Sequence, residues 1–295
     1  MSSLRGIAVL LIIAVFTILV CIPLCTMALV ALLLPGRAGK AWRRWMEVWL
    51  FLWCGFNRGL FQLFGLTKLT LDWPDIDTVS TDKWYVVICN HRSWTDIVIL
   101  QSILWNRIPP IKFFTKQQLI WVPFIGIGMW ALGFPYVKRV TRQQVAKNPA
   151  LRHADREAVR KACQRFSEHP STLLNFLEGT RFTAEKHGRQ SSTSYRHLLN
   201  PKVGGLSYVL ADMGSTFHRL LDVTIVYPDG APNFWEFLQG RCARIDVHVE
   251  TLPLPAALEN VENERDLRRH LTSWLDHRWR VKDERLNGSA VNPAH

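Results

Sequence analysis

At 295 residues the chain is long enough to bury one large core with appendages. With 36 Lys and Arg against 24 Asp and Glu its formal net charge is +12, yet 48% of its residues are hydrophobic, a pairing that points to a membrane surface and away from nucleic acid. The six cysteines form no C-x-x-C pair and no Cys/His cluster of zinc spacing, so they fit a reducing compartment and call for no metal.

Residues 7–34 are apolar apart from Thr17, Thr26, Cys21 and Cys25. A secretory apolar region runs to only about 7–15 residues and a membrane crossing needs about 20, so this run reads as a retained anchor. It is expected to cross once with tilt, or to bend at Pro23 into a shallow hairpin. Arg37, Lys40, Arg43 and Arg44 follow it and only Arg5 precedes it, which places the chain after Pro35 in the cytoplasm. In residues 41–66, Trp42, Trp45, Trp49 and Trp53 recur at helical spacing beside arginines. This predicts an interfacial helix in the headgroup layer, with packing on the next domain as the other reading. Residues 1–68 are thus the membrane part.

From residue 84 short apolar runs alternate with helical stretches. Strands are expected at 84–89, 111–114, 134–137, 172–177, 222–227 and 243–249, and helices at 94–105, 117–131, 154–168, 204–213 and 262–280. This alternation predicts an α/β fold over residues 69–250, a mixed and largely parallel sheet flanked by helices. Residues 251–295 read as an amphipathic helix carrying Leu267, Leu271, Trp274 and Leu275, with a disordered tail after Arg285. Between Lys138 and Arg165 nine basic residues stand against Asp155 and Glu157. They form either a solvated helix face or an attraction for anionic lipid or another acidic partner.

Two short motifs carry the chemistry. In Asn90-His91-Arg92-Ser93-Trp94-Thr95-Asp96 a histidine precedes a carboxylate by five residues, the making of a general base oriented by an aspartate. Ser93-x-x-Asp96 also fits a capping box. In Glu178-Gly179-Thr180-Arg181 a carboxylate and a guanidinium flank a glycine turn, an acceptor for hydroxyls beside a planar donor for phosphate. Together they suggest a base acting on the hydroxyl of a phosphate-bearing molecule. His91, Arg139 and Glu178 each follow an expected strand, so parallel strands would gather them at the carboxyl edge of the sheet. Neither G-x-S-x-G nor a Walker A loop is present, which argues for direct transfer without a covalent enzyme intermediate. Backbone N–H groups at the helix start after His91 are candidate oxyanion donors.

The pair of motifs, in this order, resembles the glycerolipid acyltransferases of the 1-acyl-glycerol-3-phosphate acyltransferase (PlsC) type over roughly Leu69 to Glu250. Two weaker segments are also similar, Gly133-Phe134-Pro135-Tyr136-Val137-Lys138-Arg139 and Val223-Thr224-Ile225-Val226-Tyr227-Pro228. Phe182-Thr183-Ala184-Glu185-Lys186-His187 looks most like the branch holding bacterial YihG-like proteins, although Asn200-Pro201-Lys202 stands where that branch usually has Pro-Arg. The resemblance implies a membrane-bound enzyme of the bacterial inner membrane, facing the cytoplasm. It implies acyl-CoA or acyl carrier protein as donor, a lysophospholipid as acceptor, phosphatidic acid as product, and no metal or organic cofactor. It further implies His91 and Asp96 as the catalytic pair, with Glu178, Gly179, Thr180, Arg181, Arg139 and Lys116 binding the acceptor. The uncharged run from Ile120 to Leu132, with Gly126, Gly128 and Gly133, is expected either to wall an acyl tail or to pack in the core.

Overall fold

The computed structural model describes residues 2–34, 36–122, 124–137, 166–190, 193–255 and 264–291, with residues 157, 159–161, 163 and 164. The strands are β1 (Lys68–Asp72), β2 (Tyr85–Cys89), β3 (Ile111–Phe113), β4 (Thr115–Lys116), β5 (Tyr136–Val137), β6 (Thr172–Phe176), β7 (Arg219–Val226) and β8 (Arg244–Leu252). The helices used below are α1 (Ser2–Leu33), α2 (Gly36–Leu63), α3 (Thr95–Leu104), α4 (Ile125–Ala131), α5 (Ala184–Gly188), α6 (Val203–Met213), α7 (Phe234–Leu238) and α8 (Glu264–Val291). Six strands form one sheet in the order β1-β8-β7-β2-β6-β3. All neighbouring pairs are parallel except β7 and β8, so the sheet is mixed and largely parallel, as its sequence pattern predicts.

The central strand β2 reads Tyr-Val-Val-Ile-Cys, with every residue buried. Such an unbroken apolar run belongs to a strand covered on both faces. Alternation divides it cleanly. Tyr85, Val87 and Cys89 join a core with Val9 of α1, Leu60 of α2, Ile99 and Leu100 of α3 and Phe237 of α7. Val86 and Ile88 join the opposite core with Leu206 and Val209 of α6 and Leu271, Leu275 and Trp279 of α8.

Several expected elements come out differently. The strand expected at 134–137 is only Tyr136–Val137, and it pairs with Thr115–Lys116 in a separate two-stranded sheet. The helix expected at 117–131 is a 3-10 turn over Gln117–Trp121 followed by α4. An added Cβ on Gly126 would sit 2.2 Å from Ile120 O, so the chain folds back on itself at that glycine. Strand β1 has no counterpart in the periodicity, and it gains its order by pairing along β8 from Lys68↔Arg244 to Asp72↔His248. α8 runs to Val291, into the stretch after Arg285 expected to be disordered; Arg278 and Lys282 anchor it to buried Asp222 at 2.7 and 2.6 Å and Arg285 to Glu250 at 2.6 Å. The basic stretch after Val137 lies largely outside the described residues.

α1 continues through Pro23 as one helix, and it is the one helix among the described residues long and apolar enough to cross a membrane. The bend lies instead between α1 and α2, which run antiparallel: Trp53 Nε1 donates to Thr17 Oγ1 at 3.0 Å, Phe16 stacks on Phe56, and Trp42 Nε1 donates to Met27 O at 2.9 Å. Three of the four tryptophans therefore turn their N–H groups inward to α1, with Trp49 Nε1 on Met27 Sδ, and Trp45 alone of the four is broadly exposed. Both halves of α1 touch the rest of the fold. Arg5 Nε donates to Gln239 O at 3.0 Å, and Leu24 and Ala28 pack with Ala131 and Phe134.

Candidate active site

The first motif leaves the end of β2 and the second leaves the end of β6. These strands are parallel neighbours in register at Cys89 and Phe176, so both motifs emerge at one carboxyl edge. Asn90 fixes the exit from β2. Its side-chain amide donates to Ile225 O and accepts from Ile225 N, each at 2.9 Å, extending the β2–β7 ladder by one rung.

The His91 ring stacks on Phe176 with centroids 4.0 Å apart, and its Nδ1 lies 2.8 Å from Asp96 Oδ2. Asp96 is wholly buried. Its Oδ2 also accepts the N–H groups of Arg92 at 2.7 Å and Ser93 at 2.9 Å, while its Oδ1 accepts the Tyr227 hydroxyl at 2.5 Å. A carboxylate met by donors on both oxygens is an acceptor only, so His91 presents N–H at Nδ1 and its lone pair at Nε2. Among the described residues Nε2 has no hydrogen-bond partner. The expected capping box does not form: α3 has Trp94 as its N-cap with no side-chain cap, and Ser93 Oγ donates to Pro232 O and accepts the Thr95 N–H. Asp96 instead ties the residues before the helix, accepting the Arg92 and Ser93 N–H groups while it orients the histidine.

Two expectations change here. The oxyanion donors expected at the start of α3 are mostly committed. The N–H groups of Arg92, Ser93, Thr95 and Asp96 all bond within the motif, leaving Trp94 N–H without a partner among the described residues. Glu178, expected to bind the acceptor, is 1% exposed, with one oxygen on His91 N–H at 2.8 Å and the other on Leu199 N–H at 3.0 Å. Burial pushes its carboxyl up to about 7, against the downward pull of those two bonds. Both oxygens are occupied by backbone, so its place in the site is that of a brace between the two motifs.

Of the remaining residues of the second motif, Gly179 and Thr180 have cationic neighbours and Arg181 an aromatic one. Gly179 adopts φ +68°, and a Cβ there would meet Lys202 Nζ at 2.9 Å, so Lys202 passes over the turn. The Arg181 guanidinium lies 4.8 Å above the Trp94 ring. Thr180 Oγ1 accepts from Lys186 Nζ at 2.8 Å. Arg92 stacks on Phe182 at 4.5 Å and donates to His197 O at 2.8 Å. The backbone of Lys116 is paired with Val137 in β4–β5, beyond the carboxyl end of β3. Arg139 lies outside the described residues. Among the described residues no cluster of three or more His, Cys, Asp or Glu could hold a metal ion.

Three groups have no place in the sequence reading of the site. Tyr227 stands in a weak motif with no role, Lys202 stands at a departure from a pattern, and the C-terminal helix reads only as amphipathic. Yet Asp283 of α8 accepts the N–H groups of Arg196 and His197 at 2.8 and 2.7 Å, and Trp279 Nε1 donates to Leu199 O at 3.1 Å. The loop that feeds Glu178 thus hangs from α8.

Comparison with known proteins places the chain in a family. The chain is 23% identical to mouse 1-acyl-sn-glycerol-3-phosphate acyltransferase epsilon, over 68% of this chain and 56% of that protein. It is 26% identical to chicken lysocardiolipin acyltransferase 1, over 68% and 52%. It is 24% identical to yeast 2-acyl-1-lysophosphatidylinositol acyltransferase, over 67% and 59%. The chain therefore spans little more than half the length of these relatives. Its fold is similar to the crystal structure of the 1-acyl-sn-glycerophosphate acyltransferase PlsC from Thermotoga maritima, with a TM-score of 0.54 and 14% identity over the whole of both chains. A family model described as Acyltransferase matches residues 73–226, a little over half of the 295, including both motifs and the strands that carry them. By that match the chain belongs to the Acyltransferase family.

Proposed function

We propose that this chain moves an acyl group from an acyl thioester, acyl-CoA or acyl carrier protein, to the free sn-2 hydroxyl of 1-acyl-glycerol-3-phosphate, giving phosphatidic acid. The observation that carries the reading is the His91–Asp96 pair, with Nδ1 held at 2.8 Å and Nε2 unpartnered among the described residues; Arg181 over Trp94 and Lys202 over Gly179 add cations to the two motifs. His91 Nε2 takes the hydroxyl proton as the oxygen attacks the thioester carbonyl, and Asp96 steadies the imidazolium that forms. Collapse of the tetrahedral adduct expels the thiolate, and His91 returns the proton to it. No covalent enzyme intermediate, metal or organic cofactor enters. In this reading Arg181 and Lys202 hold the phosphate, with Lys116 and Arg139 as the further phosphate ligands that the family resemblance implies.

A second reading keeps the chemistry and enlarges the acceptor's head group. It is favoured by relatives named for lysocardiolipin and lysophosphatidylinositol. In both readings the chain sits on a phospholipid membrane, here the cytoplasmic face of a bacterial inner membrane. α1 lies along the leaflet, since Arg5 and Leu24 both reach the body of the fold. The tail after Arg181 supports kinship with the YihG-like branch.

The test is to incubate membranes carrying the protein with several lysolipids and acyl-CoAs and to identify new diacyl lipids by mass spectrometry. New phosphatidic acid, lost in His91→Ala by about 10²–10⁴-fold, is the expected result. A His91→Ala protein that keeps more than about a tenth of kcat overturns the role of His91.

A further inference from the structure

The loop that follows β7 grips the first motif at two points. Tyr227 donates its hydroxyl to Asp96 Oδ1 at 2.5 Å, and Pro232 O accepts from Ser93 Oγ. Tyr227 is itself held. Its own carbonyl accepts the Gly230 N–H at 3.1 Å, closing a turn with Pro228 in the second position and Gly230, at φ +93°, in the fourth. The Thr95 hydroxyl lies 2.9 Å from the Tyr227 oxygen. A phenol has one proton, and Asp96 offers only lone pairs, so the direction of the chain is fixed: Thr95 donates to Tyr227 and Tyr227 donates to Asp96.

We infer that Tyr227 is a positioning residue for the base: it occupies Asp96 Oδ1 from the side opposite His91, so that Oδ2 alone meets the imidazole, and it tempers the carboxylate that His91 leans on. This rests on the acyl-transfer reading above for its consequence in turnover, and on geometry alone for its consequence in protonation. Two backbone N–H groups and the imidazole crowd Oδ2, so without a donor on Oδ1 the carboxyl could pivot about its own bond and carry Nδ1 with it. A donor on the aspartate also spreads its charge and weakens its hold on an imidazolium. Burial and the neighbouring Asp96 charge both push the phenol well above its ordinary range, so it stays a donor. The charged and titratable groups facing this pair are His91 and Arg92 in the motif, Glu178 after β6, Cys89 at the end of β2 and Cys242 before β8. None of them puts another donor on Oδ1.

Tyr227→Phe keeps the ring and removes the bond. In protein labelled with ¹³C-histidine in detergent, with the His91 signal identified by its loss in His91→Ala, the titration midpoint of His91 should move upward by a few tenths to about one pH unit. The acid limb of the kcat/KM profile should follow it. kcat should fall by about tenfold with KM for the acceptor changed less than about twofold. Thr95→Val, which removes the donor behind Tyr227, should move the midpoint the same way by less, and it decides the matter if the phenylalanine protein fails to accumulate. A midpoint that stays put or moves downward overturns the inference, whatever the turnover. Wild-type protein that transfers no acyl group overturns the functional reading and leaves the midpoint to judge Tyr227.

Discussion

One Glu178 oxygen accepts the backbone N–H of His91 at 2.8 Å, and through the other the same carboxylate holds Leu199 at 3.0 Å. A residue from the second motif thus sets the height of the histidine in the first. Glu178→Gln turns an N–H₂ group toward one of those N–H donors, at a cost of about 1–3 kcal/mol. The expected outcome is a large fall in kcat with little change in KM for the acceptor, read in steady-state kinetics over a range of lysolipid concentrations. A rise in KM alone would return Glu178 to the binding surface.

The same residue gives a pH dependence. Its folded carboxyl is raised to about 7, above the ordinary carboxylate range. The folded protein then binds a proton that the unfolded chain has already released, so the stability it contributes is full below about pH 4.5 and is lost as pH rises through about 7. The loss amounts to up to about 3 kcal/mol. Thermal melts between pH 5 and 8 should show a decline in Tm in wild type that flattens in Glu178→Gln.

Asp283 lies far along the chain from both motifs and past the family match at residues 73–226, yet it carries the amides of Arg196 and His197. Asp283→Ala should cost about 1–3 kcal/mol and loosen the loop that feeds Glu178. Hydrogen exchange should quicken at Leu199 and at His91 together, and turnover should fall with it. Faster exchange confined to residues 196–197 would show that the loop does not transmit to the site.

Gly179 and Lys202 are tested as a pair. Gly179→Ala forces a Cβ into a left-handed turn at about 1 kcal/mol and against the Lys202 side chain. Lys202→Ala leaves the turn intact. Both should raise KM for a phosphate-bearing acceptor more than KM for the acyl donor. An effect on the donor alone would assign this side of the site to the thioester.

Gly128 faces α1, where a Cβ would meet Leu24 Cδ2 at 3.3 Å and Cys21 Sγ at 3.6 Å. The room beside Gly128 is thus filled by a neighbouring helix, and the outer side of the segment is exposed at Trp121, Phe124, Ile125 and Ile127. Gly128→Leu should therefore lower Tm, by about 1–3 kcal/mol of overpacking, and leave the preference among donors of graded length unchanged in a competition assay.

The sequence made the sheet legible where strands are covered on both faces. β2, β6 and β7 announce themselves by apolar runs bounded by polar turns, and the two motifs follow from where those runs end. β1, mostly exposed and with polar residues at alternate positions, could not be read because its order comes from β8. The site divides in the same way. His91 and Asp96 are chemical types at a telling spacing. Glu178 looked like an open acceptor because letters record a carboxylate and say nothing of the backbone amides around it. Tyr227 was hidden for the same reason, since its partner lies 131 residues away across the sheet.

α1 is shared property. Val9 is fully buried in the same core as the catalytic strand, Gly6 lies against Trp235, and Leu24 fills the notch at Gly128. The other side of the same helix shows Leu11, Leu19, Leu32 and Leu33 to the surroundings. Trimming the helix away to obtain a water-soluble enzyme would open the interior that supports His91. Solubility has to be sought by repainting the outer leucines with polar side chains while the inner stripe stays as it is.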